Sequence, residues 1–127
     1  MAVELNHTIV HAHDAAASAQ FLADILGLAP PRRFGPFVVV DAANHVSLDF
    51  LSSDEPFIVE HYAFLVSEGE FDEIFARIQA RGLDYWADPR LSRKGAINRN
   101  DGGRGLYFKD PAGHYLEVIT RPYGSGA

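Results

Sequence analysis

The feature that most constrains this 127-residue chain is an order of hydrophobic periods that occurs twice. From Leu5 to His11 the residues alternate, with Leu5, His7, Ile9 and His11 on one side and Asn6, Thr8 and Val10 on the other. A period of two is that of a strand. From Ala15 the period lengthens, and Ala17, Phe21, Ile25 and Leu28 fall on one helical face with Leu22 and Leu26 beside it. Asp14 is a natural N-cap for that helix and Gly27 a natural stop. Pro30 and Pro31 break the chain, and residues 34–42, centred on Val38, Val39 and Val40, are strand material. Ala43-Asn44 signals a turn, residues 45–51 a further strand, and residues 52–56 a linker. The order then restarts. Residues 57–66 are strand-like, and residues 70–81 are helical, with Phe71, Ile74, Phe75 and Ile78 on the apolar face and Gly82 at the end. Tyr85 and Trp86 suggest a short strand, and residues 88–103 a polar loop. Residues 104–109 and 114–120 form a hairpin around Asp110-Pro111-Ala112-Gly113, whose residue types are turn chemistry. The Gly-rich tail, 121–127, is expected to be loose at its end.

The chain thus reads β-α-β-β(-β) twice, with a repeat of roughly 55–60 residues within one domain-sized length. This is an α+β pattern, and periodicity alone leaves a ferredoxin-like arrangement open beside a pair of βαβββ modules. Eleven Lys and Arg against 17 Asp and Glu give a net charge of −6. With no basic run, that balance disfavours nucleic acid and anionic membrane surfaces as partners. The absence of Cys excludes disulfides, thiolate metal sites and a cysteine nucleophile. No signal peptide is recognisable at the start, and no apolar run approaches the ~20 residues of a membrane span. The cytoplasm is the expected location.

His7, His61 and Glu117 each fall within an expected strand among apolar neighbours. His7 shares a face with Leu5 and Ile9, His61 with Val59 and Ala63, and Glu117 with Tyr115 and Ile119. A carboxylate aimed into an interior is costly unless it is paired or bound to metal. Two imidazoles and one carboxylate suit zinc, iron, manganese, cobalt or nickel, and three protein ligands leave positions open for substrate. Taken singly, each residue is more readily read as a satisfied core or groove residue. No phosphate-binding Gly loop and no Ser nucleophile elbow is present, which leaves kinase, Rossmann and hydrolase readings without support.

Three segments carry a resemblance. ELNHTIVHAHDAAASAQFLADILGL, EHYAFLV and GRGLYFKDPAGHYLEVIT resemble the opening strand and helix, the start of the second module and the closing hairpin of the vicinal oxygen chelate superfamily. That superfamily includes glyoxalases, bleomycin resistance proteins and extradiol dioxygenases. The resemblance runs to about Thr120, and its most specific part is the closing Tyr-Phe-x-Asp-Pro-x-Gly hairpin. It implies a single domain over residues 1–127, with a first module at about 1–52 and a second at about 57–121. Two paired βαβββ modules would form a curled mixed sheet around a cavity. It also implies that one divalent metal ion (Zn, Fe, Mn, Ni or Co) is held by His7, His61 and Glu117. A fourth ligand position, usually Glu, is matched here by Asp49, which shares a strand face with Ser47 and His45 and is one methylene shorter. Tyr107, ten residues before Glu117, matches a substrate-binding tyrosine of the extradiol enzymes, and His45 loosely matches their acid/base.

The expected catalytic residues are therefore Glu117, Tyr107 and His45. Tyr107 is also readable as a core aromatic and His45 as a surface residue beside a turn. The implied function is a metal-dependent enzyme whose small substrate chelates the ion through neighbouring oxygens, by glyoxalase-like lyase/isomerase or extradiol-dioxygenase-like chemistry. The alternative is a bleomycin-resistance-like protein that sequesters a drug or aromatic natural product without catalysis. A third reading, thiol transfer to an epoxide antibiotic of the fosfomycin type, shares the triad but needs anion-binding residues that are hard to locate here. Lys94, Asn98, Arg99 and Arg104, in or beside the long loop, are candidates to grip a polar substrate. A homodimer is expected, since family members commonly dimerise.

Overall fold

The computed structural model describes residues 2–126, and the chain divides into two compact units, Met1–Ile58 and Val59–Ala127. The first unit runs β1 (His7–Ala12), α1 (Ala15–Leu26), β2 (Arg32–Phe34), β3 (Phe37–Asp41) and β4 (Ser47–Ser52). Its four-stranded sheet has the order β1-β4-β3-β2, with β1 parallel to β4 and the other pairs antiparallel. The second unit runs β5 (His61–Leu65), α2 (Glu68–Ala80), β6 (Gly105–Lys109) and β7 (Tyr115–Ile119), with sheet order β5-β7-β6 and β5 parallel to β7. The first strand of each unit therefore lies parallel beside its last, with the helix and the antiparallel strands between them in the chain. The outer edge of β6 is paired at Trp86 and again at Asn98, so the second sheet gains part of a fourth strand. The architecture is mixed α+β with two open sheets and two helices, as the vicinal oxygen chelate fold requires.

Helix α1 starts where the sequence indicates. The Asp14 carboxylate accepts the N–H of Ala17 at 3.1 Å, and Gly27 ends α1 with φ 71, a left-handed conformation that glycine adopts without steric cost. The buried face of α1 is rotated from the expected one: Ala15, Ser18, Ala19, Leu22, Ala23 and Ile25 are buried, whereas Ala17 is exposed and Phe21 half-buried. Small residues win this face because α1 packs closely on β1, β3 and β4. Helix α2 begins two residues before the expected start, because Ser67 and Glu70 form a reciprocal capping box. Its stripe Phe71, Ile74 and Ile78 is buried as expected.

The segment 34–42, expected as one strand, is the end of a hairpin. Gly35 with φ 57 and Pro36 form a two-residue turn between Phe34 and Phe37, and glycine at the first turn position suits the right-handed twist of the flanking strands. The strand expected at Tyr85–Trp86 reduces to isolated bridges from Trp86 to Tyr107 on one side and Lys94 on the other. Arg104 secures the start of α2. It bonds Glu68 at 2.8 Å and Asp72 at 2.9 Å, and its guanidinium lies 4.5 Å from the Phe71 ring centroid. Arg104 and Asn98, considered as substrate grips, are engaged inside the fold; the Asn98 amide donates to Ala87 O and is buried.

The β6–β7 turn is held by Asp110, whose buried carboxylate accepts the N–H groups of Ala112 and His114 at 3.0 and 2.8 Å. His114, expected at the surface, is buried, and its Nδ1 accepts the Glu60 N–H at 2.9 Å, tying the entry of β5 to the turn. Among the described residues no helix is long and apolar enough to cross a membrane.

Two stability predictions follow from these contacts. Ser67→Ala removes the cap acceptor of α2 and should destabilise the protein by about 1 kcal/mol in urea denaturation. Burial raises the Asp110 carboxyl above its ordinary value despite the turn N–H groups and His114, which oppose the shift. The folded state then holds that proton more tightly than the unfolded chain, so the group's contribution is complete below the unfolded value and lost as pH rises through the raised one. Asp110→Asn keeps Oδ1 as an acceptor and does not ionise. Its urea midpoint should exceed that of the wild type at neutral pH and converge with it on acidification.

Candidate active site

In the second sheet, alternate residues of β5, β7 and β6 face away from the buried Leu106, Phe108, Leu116 and Val118. Register aligns them in rows: His61, Tyr115 and Lys109, then Ala63, Glu117 and Tyr107. Glu117 lies at the centre of β7, the middle strand, and is 1% exposed. Its Oε1 is 2.9 Å from His61 Nε2. Its Oε2 accepts a hydrogen bond from the Tyr123 hydroxyl, and the Tyr123 and Tyr107 hydroxyls are 3.0 Å apart. The His61 and Tyr107 rings meet edge to face at 5.8 Å. One buried carboxylate thus gathers an imidazole and two phenols on one sheet face.

Burial, then the bond to Tyr123 and the nearby Glu117, push the Tyr107 hydroxyl far above its ordinary value. Burial, then the bond to Glu117, raise Tyr123 as well. Both phenols are therefore neutral groups able to donate a hydrogen bond. Beside them Lys109 lies over the Trp86 and Tyr115 rings, at 5.9 and 5.3 Å from their centroids. These rings give the face an aromatic rim.

Of the expected site residues, the fold brings His61, Glu117 and Tyr107 together. His61 is the first residue of β5 and partly exposed, where a mid-strand position was expected, because residues 57–60 precede the ladder rather than join it. His7 likewise opens β1 and is exposed. In the first unit His7 pairs in register with Ser47, and Ile9 with Asp49, so the imidazole and the Asp49 carboxylate occupy successive rows of the sheet face opposite Val10, Leu48 and Phe50. Asn6 Oδ1 is 2.7 Å from His7 Nδ1, where the amide oxygen accepts from the ring N–H. Asp49 accepts the Ser47 hydroxyl at 2.8 Å. His45 is exposed in the turn before β4, with φ 67.

No group of three or more His, Cys, Asp or Glu side chains able to hold a metal is assembled among the described residues. The pair that is assembled fits an ion in kind and spacing. An imidazole and a carboxylate are borderline donors, and the 2.9 Å between Nε2 and Oε1 is about the separation of two neighbouring ligands with bonds of ~2.1 Å. Without an ion the same pair is a hydrogen bond or, with His61 protonated, an ion pair.

Tyr123 is the residue that sequence reasoning missed. It lies in a Gly- and Pro-containing tail, outside every periodic segment, and only the backbone path of that tail carries its hydroxyl to Glu117.

Two solved structures cover essentially the whole chain. Oxidase ChaP-H1 is 67% identical with a TM-score of 0.95, covering 97% of this chain and 99% of its own. Oxidase ChaP-H2 is 62% identical with a TM-score of 0.97, covering 100% of both. Glutathione transferase FosA from Serratia marcescens is 27% identical over 124 residues, 93% of this chain and 81% of its own length. The sequence pattern of one family matches residues 4–118. With that match over nearly the whole chain and two mixed sheets of the required topology, the chain belongs to the Glyoxalase/Bleomycin resistance protein/Dioxygenase superfamily.

Proposed function

We propose that this protein is a metal-dependent enzyme that uses dioxygen to oxidise a small aromatic substrate bound through two neighbouring oxygens. The observation that carries the reading is the His61–Glu117–Tyr123–Tyr107 cluster, an imidazole and a buried carboxylate beside two phenol donors. The high identity to two proteins named as oxidases favours oxidation over the lyase/isomerase alternative. The ligands in this proposal are the ones that the family resemblance implies, His7, His61 and Glu117, with Asp49 at the fourth ligand position. When bound, a divalent ion there supplies Lewis acidity to the paired oxygens of the substrate and, if redox-active, a path for its electrons to dioxygen.

The chain's own residues do the remaining work. Glu117 and His61 supply donors whose geometry is preset by the sheet register. Trp86 and Tyr115 offer flat apolar surface to an aromatic ring and exclude water from one side of it. The Tyr107 hydroxyl now bonds Tyr123; a substrate oxyanion arriving on this face would compete for that proton.

The similarity to FosA over 93% of the chain supports a second reading, thiol addition to an epoxide. Protection of cells from fosfomycin on expression of this chain would favour it.

Protein purified without chelator and reconstituted with iron(II) or manganese(II) should hold one equivalent by elemental analysis. It should take up dioxygen with catechol-like or polyphenolic substrates. His61→Ala and Glu117→Gln should lose the metal and at least about 100-fold in kcat/KM, beyond what loss of a supporting residue usually costs. Tyr107→Phe should retain the metal and lose about 10²-fold in kcat, the lower range for a lost proton donor. A wild-type protein that binds no metal yet holds an aromatic compound tightly would replace the enzyme reading with sequestration.

A further inference from the structure

The tail after β7 is held in place by contacts that neither the sheet nor the proposed ligand set requires. Asp101, in the long loop, adopts φ 57, and its Oδ1 accepts the N–H groups of Gly124 and Gly126 at 3.1 and 3.3 Å. A Cβ at Gly126 would collide with the backbone of Asp101, so the tail lies flush against that turn. The tail also closes on itself, with Ser125 N–H donating to Pro122 O at 3.1 Å and the Arg121 guanidinium to Ser125 O at 3.3 Å. Between these anchors stands Tyr123, its hydroxyl on Glu117 Oε2.

We propose that Tyr123 is a positioning residue for the Glu117 carboxylate, and that residues 121–126 form a strap, clipped by Asp101, which holds the tyrosine there. The inference rests on the reading of Glu117 as a metal ligand. A glutamate side chain has three rotatable bonds and two equivalent oxygens, so burial alone does not choose which oxygen faces a ligand. The Tyr123 hydroxyl has one proton, and Oε2 takes it. That leaves Oε1, the oxygen beside His61 Nε2, free to bind an ion through a single bond. With its proton committed, the Tyr123 oxygen can only accept from Tyr107, so the order of donation is Tyr107 to Tyr123 to Glu117. The long loop thereby acquires a function other than gripping substrate: its Asp101 fixes the strap that orients a ligand.

The test titrates cobalt(II) into metal-free full-length protein and follows visible absorption. Tyr123→Phe keeps the ring and removes only the hydroxyl. Asp101→Gly releases the clip while relaxing the positive φ, and touches none of the four clustered side chains. Tyr123→Phe should bind cobalt about tenfold more weakly or worse, the usual cost of losing an outer partner of a ligand, with altered visible bands. Asp101→Gly should shift affinity in the same direction. Tyr107→Phe should titrate like the wild type, and each metal-free variant should unfold in one cooperative thermal transition, so that lost affinity is not a lost fold. Wild-type affinity and spectrum in Tyr123→Phe would overturn the inference while leaving the metal reading intact, as would an equal loss in Tyr107→Phe. If the wild type and His61→Ala both fail to bind cobalt, the metal reading itself falls and takes the inference with it.

Discussion

The second unit is organised around one buried carboxylate in the middle strand of a three-stranded sheet. Glu117 cannot reach water, so its lone pairs must be met by the protein or by an ion. The sheet supplies His61 and Tyr107 through register alone, since β5 and β6 flank β7 and their alternate residues share its face. The tail supplies Tyr123. Removing any one partner would leave charge or a polar atom buried with fewer bonds, and this couples the site to the stability of the fold. No described buried side-chain polar atom lacks a partner, which accords with a face organised around full satisfaction of one acid.

The rest of the unit keeps that face open. Apolar side chains are concentrated on the opposite face and on the α2 stripe, so the functional face is free to carry polar and aromatic groups. Arg104 and the Ser67–Glu70 box fix the start of α2, and Asp110 and His114 fix the turn that enters β7. Trp86 and Asn98 pair with the outer edge of β6, which protects it from pairing elsewhere. In the first unit the same division recurs: α1 covers Val10, Leu48 and Phe50, and the opposite face carries His7 and Asp49.

The strand and helix order, the Asp14 N-cap, the Gly27 stop and the Asp110–Gly113 turn were legible in the sequence, because each depends on residues within a few positions of one another. The Gly35-Pro36 hairpin was readable in principle but was hidden by the apolar residues on both sides of it. The rotated face of α1 was not legible, since small and large apolar residues share the helix and only docking on the sheet selects between them.

The candidate residues divide along the same line. Residue type and strand period marked His7, His61 and Glu117 as unusual, and the turn motif drew Tyr107 beside Glu117 because β6 and β7 are a local hairpin. That His61 is the residue beside Glu117 was decided by the parallel pairing of β5 with β7, across more than fifty residues of chain. Tyr123 was decided by tertiary structure alone. Its position follows from two N–H groups meeting the Asp101 carboxylate, and no local period encodes a contact between a tail and a loop. The sequence by itself determined which faces are apolar and where helices begin, because these are short-range properties. Only the folded chain decided which polar groups share the Glu117 carboxylate, because that depends on how distant strands and the tail are brought into register.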